Sequence, residues 1–401
     1  MTVTLKSIEE ARETLKGVAK KTPMIESPVL GAKVGGEVYF KYENLQKTGS
    51  FKIRGAVNKI SHLTKEEAAR GVIAASAGNH AQGVALGATA KGIKATIVMP
   101  ATTPLAKVSA TKGYGGNVIL HGAAFDDAYA KALEVQKETN AVFVHPFDDE
   151  YVIAGQGTIA LEILEDLPDV DTVVVPVGGG GMISGIAAGL KLSNPKIKVI
   201  GVESAVIPSM KKSIEAGKII TVPAGVTAAE GINVRTPGKI NFEMVKKYVD
   251  EIVTVTEDEI AEAMLYLLEK GKNLAEGAGA TPLAAVLAGK INCKDQKVVL
   301  MVSGGNADIT FISRIINKAL LLQGRRIELK VVMADRCGET AKLLKLISDN
   351  DANILYITQS MYDSSLELES QIMTLVLECR DWNHANDIER KIIEAGYKVV
   401  K

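Results

Sequence analysis

Residues 172–182 read TVVVPVGGGGM, and an apolar segment, ISGIAAGL, follows from Ile183. The β-branched run has no polar alternation, the mark of a strand covered on both faces. Four glycines then open a segment of helical character. The same construction recurs at Val72–Ala75 before SAGNH and at Val298–Val302 before SGGN, while a further β-run, Val199–Val202, ends at Glu203. Strands that alternate with helices imply βαβ units and a largely parallel, buried sheet. The fold class is therefore α/β. Such sheets bind ligands at the carboxyl ends of their strands. Here the glycine-rich segments occupy those ends.

Backbone N–H groups unshielded by side chains can close around a phosphate at the positive end of a helix. Gly178, Gly179, Gly180, Gly181 and Met182 supply such a cradle. The loop lacks the Lys-Ser/Thr ending of a P-loop. It also does not match GxGxxG followed by an acid about 20 residues on, which disfavours a nucleotide. Lys52 lies in SFKIRGA, Ser50–Ala56, between the strand-like VYFKYE and a helical stretch. A lysine near a glycine is unremarkable alone, but its amine can condense with an aldehyde cofactor. In SAGNHAQG, Ser76–Gly83, small residues offer N–H groups to a carboxylate and Asn79 offers an amide to a ring oxygen. Ser303 of SGGN can hydrogen-bond a pyridine nitrogen. Each segment by itself also reads as a plain strand-to-helix turn.

The 401 residues are enough for two or three domains. Lys plus Arg equal Asp plus Glu at 47 each, so no net field favours nucleic acid or an anionic membrane. No run approaches the roughly 20 apolar residues that span a bilayer, and the polar N-terminus has no signal-peptide core. A cytoplasmic location is expected. Cys293, Cys337 and Cys379 lie far apart and match no metal-ligand spacing. The pattern changes at LLQGRR, Leu321–Arg326. Beyond it Ile327, Leu329, Val331 and Met333 alternate, Leu343, Leu344 and Ile347 recur at helical spacing, and a second strand runs through Asn353–Thr358. A third strand carries Met373, Leu375, Leu377 and Cys379. Ile388, Ile392 and Ile393 mark a helix stopped by Gly396, and YKVV closes the chain. The order is βαββαβ, the ferredoxin-like arrangement. Residues 1–322 are expected as one domain, with a smaller lobe at about 50–150 inserted in a larger one, and 327–401 as another.

Taken together, SFKIRGA, SAGNHAQG, AGQGT (Ala154–Thr158), VPVGGGGM, TVTEDEI, AEGAGA and VSGGN occur in one order across residues 5–320. In this the chain resembles the fold-type II pyridoxal-phosphate enzymes of the serine/threonine dehydratase family. The resemblance implies a two-lobed, tryptophan synthase β-like catalytic domain and pyridoxal 5'-phosphate as cofactor. It implies that Lys52 binds the cofactor covalently and later removes the substrate α-proton. Phe51 would pack on the ring, Asn79 contact its hydroxyl oxygen, Gly178 through Met182 hold the phosphate, and Ser303 face the pyridine nitrogen. Ser76, Gly78, Asn79 and His80 would bind the substrate carboxylate. The implied reaction is deamination of L-threonine to 2-oxobutanoate and ammonia, with L-serine as a second substrate. Glu276 matches a family glutamate near the cofactor, and a structural role for it is equally open.

The chain also departs from the pattern. Ala77 stands where the related serine racemases carry a second serine, the proton donor to the opposite face, so racemisation should be minor. Glu230 of AAEGI replaces a more usual aspartate. Relatives with a divalent-cation site pair a glutamate with an acid six positions later. Here Glu203 is followed at that spacing by Ser209, and no metal is expected. The C-terminal segment resembles an ACT domain through Asp335-Arg336-Cys337-Gly338 and Asn353-Ile354. That implies a homodimer or homotetramer with an amino-acid effector, such as isoleucine or valine, near Asp335, Gly338 and Asn353. A domain serving oligomerisation alone is the alternative there. The rivals for the whole chain are a serine dehydratase, a serine racemase and a non-catalytic amino-acid sensor. Threonine against serine rests on room for one methyl group, about 1–3 kcal/mol, and the sequence leaves it open, as it does a biosynthetic or catabolic role.

Overall fold

A computed structural model describes residues 3–362 and 366–400. The chain divides into two compact units, Met1–Asp308 and Ile309–Lys401.

The first unit holds ten strands: β1 Met24–Glu26, β2 Glu37–Tyr42, β3 Val72–Ala75, β4 Ala95–Met99, β5 Asn117–Leu120, β6 Val142–Phe143, β7 Thr172–Pro176, β8 Lys198–Ser204, β9 Glu251–Val255 and β10 Lys297–Val302. They form two sheets. One has the order β1-β2-β10-β7-β8-β9, parallel except for β1. The other, β5-β4-β3-β6, is parallel throughout and falls within the 50–150 segment expected as the smaller lobe.

β7 lies inside the larger sheet, and Val173, Val174 and Val175 are fully buried, as the unbroken β-branched run required. Helices Glu150–Asp166 and Gly181–Ser193 cover it with Ile159, Ile163, Ile183, Ile186 and Leu190. Each such side chain stabilises the fold by about 1.5–3 kcal/mol. The smaller sheet packs Val72, Ala74, Ile97 and Met99 against Ala81, Val84 and Ala88 of helix Asn79–Thr89.

Helix Lys52–Ser61 is tied to the larger lobe by charge as well as packing. Buried Arg54 donates through Nε to Glu43 Oε2 at 2.8 Å and through Nη1 to Glu162 Oε1 at 2.6 Å. Lys41, also buried, meets Glu162 at 2.7 Å. The helix that starts at Lys52 is thereby fixed against β2 and helix Glu150–Asp166.

The second unit contains β11 Arg326–Ala334, β12 Asn353–Ser360, β13 Ser370–Glu378 and β14 Lys398–Val400, with helices Glu339–Ser348 and Trp382–Glu394 between them. The antiparallel order β12-β13-β11-β14 is the ferredoxin-like topology. Ile327, Leu329, Val331 and Met333 face inward with Met373, Leu375, Leu377 and Cys379, and Leu343, Ile347, Ile388 and Ile392 close over them. Ile393 departs from the expectation and is half exposed, because Ile392 takes the inward position of that turn. Helix Ile309–Leu322, placed by the sequence reading with the first domain, groups with this unit. Trp382 Nε1 donates to Leu322 O at 2.9 Å, tying the helix end to the unit ahead of β11. Among the described residues no helix is long and apolar enough to cross a membrane.

Candidate active site

Lys52 is the first residue of its helix, with Phe51 as N-cap. The chain before it is clamped to the loop after β10: Ser50 bridges Gly304, Phe51 N donates to Ser303 O at 3.1 Å, and Gly305 N donates to Gly49 O at 2.9 Å. Lysine and serine motifs some 250 residues apart are thus brought together at the ends of the strands. The Lys52 ammonium donates to Pro146 O at 2.8 Å and stands 5.2 Å from the centre of the Phe51 ring. Burial pulls the Lys52 pKa down to about 8, partly opposed by the carboxylate of Glu276.

A polar chain lies beside it. Asn79 Nδ2 donates to Glu276 Oε1 at 2.8 Å, and Asn306 Nδ2 donates to Asn79 Oδ1 at 2.7 Å and to Thr48 O at 2.7 Å. With both ends held, the Asn79 amide has a defined orientation. Burial pushes the Glu276 carboxyl up to about 7. Ser303 is buried at the end of β10, and its main-chain carbonyl accepts the bond from Phe51 N. Its hydroxyl can donate to a ligand acceptor such as a pyridine nitrogen.

Gly178 through Met182 join β7 to helix Gly181–Ser193. Gly180 has φ +97°, and a Cβ there would stand 2.6 Å from Met210 Cε and 2.7 Å from Asn241 Cβ, so only glycine fits. The Phe147 ring packs so closely on Gly179 that a Cβ there would lie 2.4 Å from ring carbons. Gly238 N donates to Gly179 O at 3.1 Å. The first N–H groups of the helix have no acceptor within it and form a positive end suited to a phosphate.

The segment Ser76–His80 joins β3 to its helix. Ser76 N donates to Val98 O at 3.1 Å, and Gly78 N donates to Ser76 Oγ at 3.2 Å. His80 lies in the first turn of the helix with its side chain turned away from the loop. Its ring is buried, with Nε2 on Val144 O at 2.8 Å, and burial lowers its pKa to about 3. The neutral ring is a packing group for the smaller lobe, so only the main-chain N–H of His80 remains for a carboxylate. Glu203 accepts N–H bonds from Met210 and Lys211, both at 2.8 Å. Glu230 forms an ion pair with Lys107 at 3.1 Å, joining a large-lobe loop to a small-lobe helix. Asp335, Gly338 and Asn353 lie in the second unit. Gly338 caps helix Glu339–Ser348 with φ +91°, Asp335 N donates to Glu369 O at 2.7 Å, and Asn353 Nδ2 reaches Glu378 Oε2 at 3.3 Å.

The sequence reading missed the segment His145–Asp148, which touches Lys52, Gly179 and Gly181. The only signal was a polar, proline-containing HPFDD directly after a short β-run.

An amine of lowered pKa, a glycine cradle opening a helix, a fixed amide and a serine at the end of β10 fit pyridoxal phosphate. Residues 15–304 match the family described as pyridoxal-phosphate dependent enzyme, and the chain belongs to that family. Within it, the chain is 52% identical over 397 residues to L-threonine ammonia-lyase of Thermotoga maritima, covering 99% of each. The structure of the processed form of threonine deaminase isoform 2 from Solanum lycopersicum superposes with a TM-score of 0.75 at 38% identity, over 79% of this chain and 87% of that one. Maize serine racemase also gives 0.75 at 38% identity, over 80% of this chain and 99% of that one.

Proposed function

We propose that the chain deaminates L-threonine to 2-oxobutanoate and ammonia, and L-serine to pyruvate and ammonia. The observation that carries this is the Lys52 amine, brought to about 8 beside the glycine cradle and Ser303, in a chain so close to a threonine ammonia-lyase over its length. Bound pyridoxal phosphate supplies an electrophilic carbonyl and an electron sink. Lys52 holds the cofactor through Nζ and, once released from it, accepts the substrate α-proton at Nζ. Its lowered pKa raises the share of free amine near neutral pH. Phe51 covers the ring, Asn79 directs its amide to the ring oxygen, and Ser303 offers its hydroxyl to the pyridine nitrogen. The N–H groups of Gly178, Gly179, Gly180, Gly181 and Met182 receive the phosphate. Ser76, Gly78, Asn79 and the main chain of His80 receive the substrate carboxylate. Glu276 keeps Asn79 oriented.

Serine racemisation is the second reading, supported by the likeness to the maize enzyme. Ala77 weighs against it, since a methyl group has no proton to give. The second unit has the topology of an ACT-like regulatory domain. On this reading isoleucine or valine binds near Asp335, Gly338 and Asn353, the protein is a homodimer or homotetramer, and it works in the cytoplasm. K52A is expected to abolish turnover and remove the visible absorbance of the bound cofactor. Retention of both by the purified variant would sink the site assignment.

A further inference from the structure

The segment between β6 and helix Glu150–Asp166 touches both halves of the cofactor site. His145 Nδ1 accepts two main-chain bonds, from Phe147 N at 3.3 Å and Asp148 N at 2.8 Å. A side-chain acceptor holding the N–H groups two and three residues ahead is the pattern of an asparagine-type turn. The turn aims Pro146 O at the Lys52 amine, 2.8 Å away. The next residue, Phe147, lies against Gly179 and Gly181, and its carbonyl accepts from Asn241 Nδ2 at 3.0 Å. Asp148 accepts from Lys239 N at 3.0 Å and Ile240 N at 2.9 Å, while adjacent Gly238 holds Gly179 O. One four-residue stretch thus links the amine to the glycine cradle, and a single imidazole nitrogen gives the stretch its bend.

We propose that His145 is a positioning residue: its unprotonated Nδ1 shapes the turn that holds the Lys52 amine in register with the glycine cradle. The proposal rests on the assignment of Lys52 made above. The bond pattern fixes the tautomer, with the proton on Nε2. The ring must also stay neutral, because a proton on Nδ1 would meet two N–H donors head on. Its surroundings favour that state. Burial lowers the His145 pKa, with Lys52 acting in the same direction and Asp148 and Asp149 against it. Among the described residues a further titratable neighbour, His80, has its pKa lowered to about 3 and stays uncharged through the working range. Acidification that protonates His145 should therefore release Phe147 N and Asp148 N, loosen Pro146 O, and misplace the amine before the fold is lost.

Asparagine separates the acceptor from the titration, since its Oδ1 takes nearly the place of Nδ1 and carries no proton. The test compares wild type, H145N and H145L as holoenzymes, by the cofactor's visible absorbance, its dissociation constant and the pH profile of kcat from pH 5 to 9. H145N is expected to match wild type within about threefold at pH 8 and to lose the additional fall in kcat that His145 protonation adds on the acid side of the limb set by Lys52. H145L is expected to bind cofactor at least about tenfold more weakly and to lose about 10–100-fold in kcat, the scale of a catalytic group displaced by an ångström. A wild-type cofactor constant and kcat in H145L, or an H145N as impaired as H145L, would overturn the proposal. Should H145L not fold, H145N decides, and a profile below the limb set by Lys52 that is identical to wild type refutes the role. If wild type itself shows no cofactor absorbance dependent on Lys52, the assignment of Lys52 fails instead.

Discussion

At the scale of single residues, small differences decide which reaction leaves the shared site. Ala77 lies in the turn after β3, between Ser76 and Gly78, whose N–H and hydroxyl bond each other at 3.2 Å. A serine there adds a proton donor without disturbing that bond. A77S is expected to raise D-serine formation relative to pyruvate by about tenfold or more, the scale of a positioned proton-transfer group, as read by chiral chromatography. Absence of D-serine from both proteins would leave the wild-type claim intact and defeat the single-residue explanation. Asn79, Gly178–Gly181 and Ser303 were legible in the sequence because each sits in a run of small residues directly after an apolar strand, and Lys52 because SFKIRGA stands in order with those motifs. His145, Pro146 and Asn241 were not. Pro146 acts through its carbonyl and Asn241 on that of Phe147, each with a partner 94 residues away, and His145 only holds a local turn, so none of them carries a recognisable signature. Nor did the sequence show that the His80 ring turns inward to Val144 O. Sequence spacing places a residue in a loop but does not say which way its ring turns.

At the scale of elements, β3, β7 and β10 were readable from β-branched runs and their glycine or small-residue ends, as were the inward faces of β11 and β13, whereas β1, β4, β5 and β9 lack that combination. The buried ionic lock beneath helix Lys52–Ser61 was not readable, since Lys41, Glu43, Arg54 and Glu162 come from four elements whose adjacency is set by the tertiary fold. The lock has a measurable consequence. R54M leaves Glu43 buried without its cationic partner, and removing one member of a buried pair costs about 3–5 kcal/mol. Denaturant unfolding of the cofactor-free protein should show a loss of that order. A loss under about 1 kcal/mol would mean that water or repacking replaces the guanidinium.

At the scale of the whole molecule, all residues proposed to meet the cofactor lie in Met1–Asp308, and the ferredoxin-like unit begins at Ile309. The expected hinge at Gln323–Arg325 came from its glycine and charges, which signal a turn but not the side on which helix Ile309–Leu322 packs. A chain ending at Gln323 is expected to keep cofactor and part of its activity and to lose any response to isoleucine or valine. Steady-state assays with and without each amino acid read this, and a truncated chain that responds as fully as the intact one would place the effector elsewhere. The central claim is tested most directly by product analysis. Purified holoenzyme is given L-threonine or L-serine, and 2-oxo acid, ammonia and D-amino acid are quantified together. The account predicts 2-oxobutanoate and ammonia in equal amounts from threonine, pyruvate and ammonia from serine, and little D-serine. D-serine as the main product, or no 2-oxo acid from threonine by an enzyme that carries its cofactor, would contradict it.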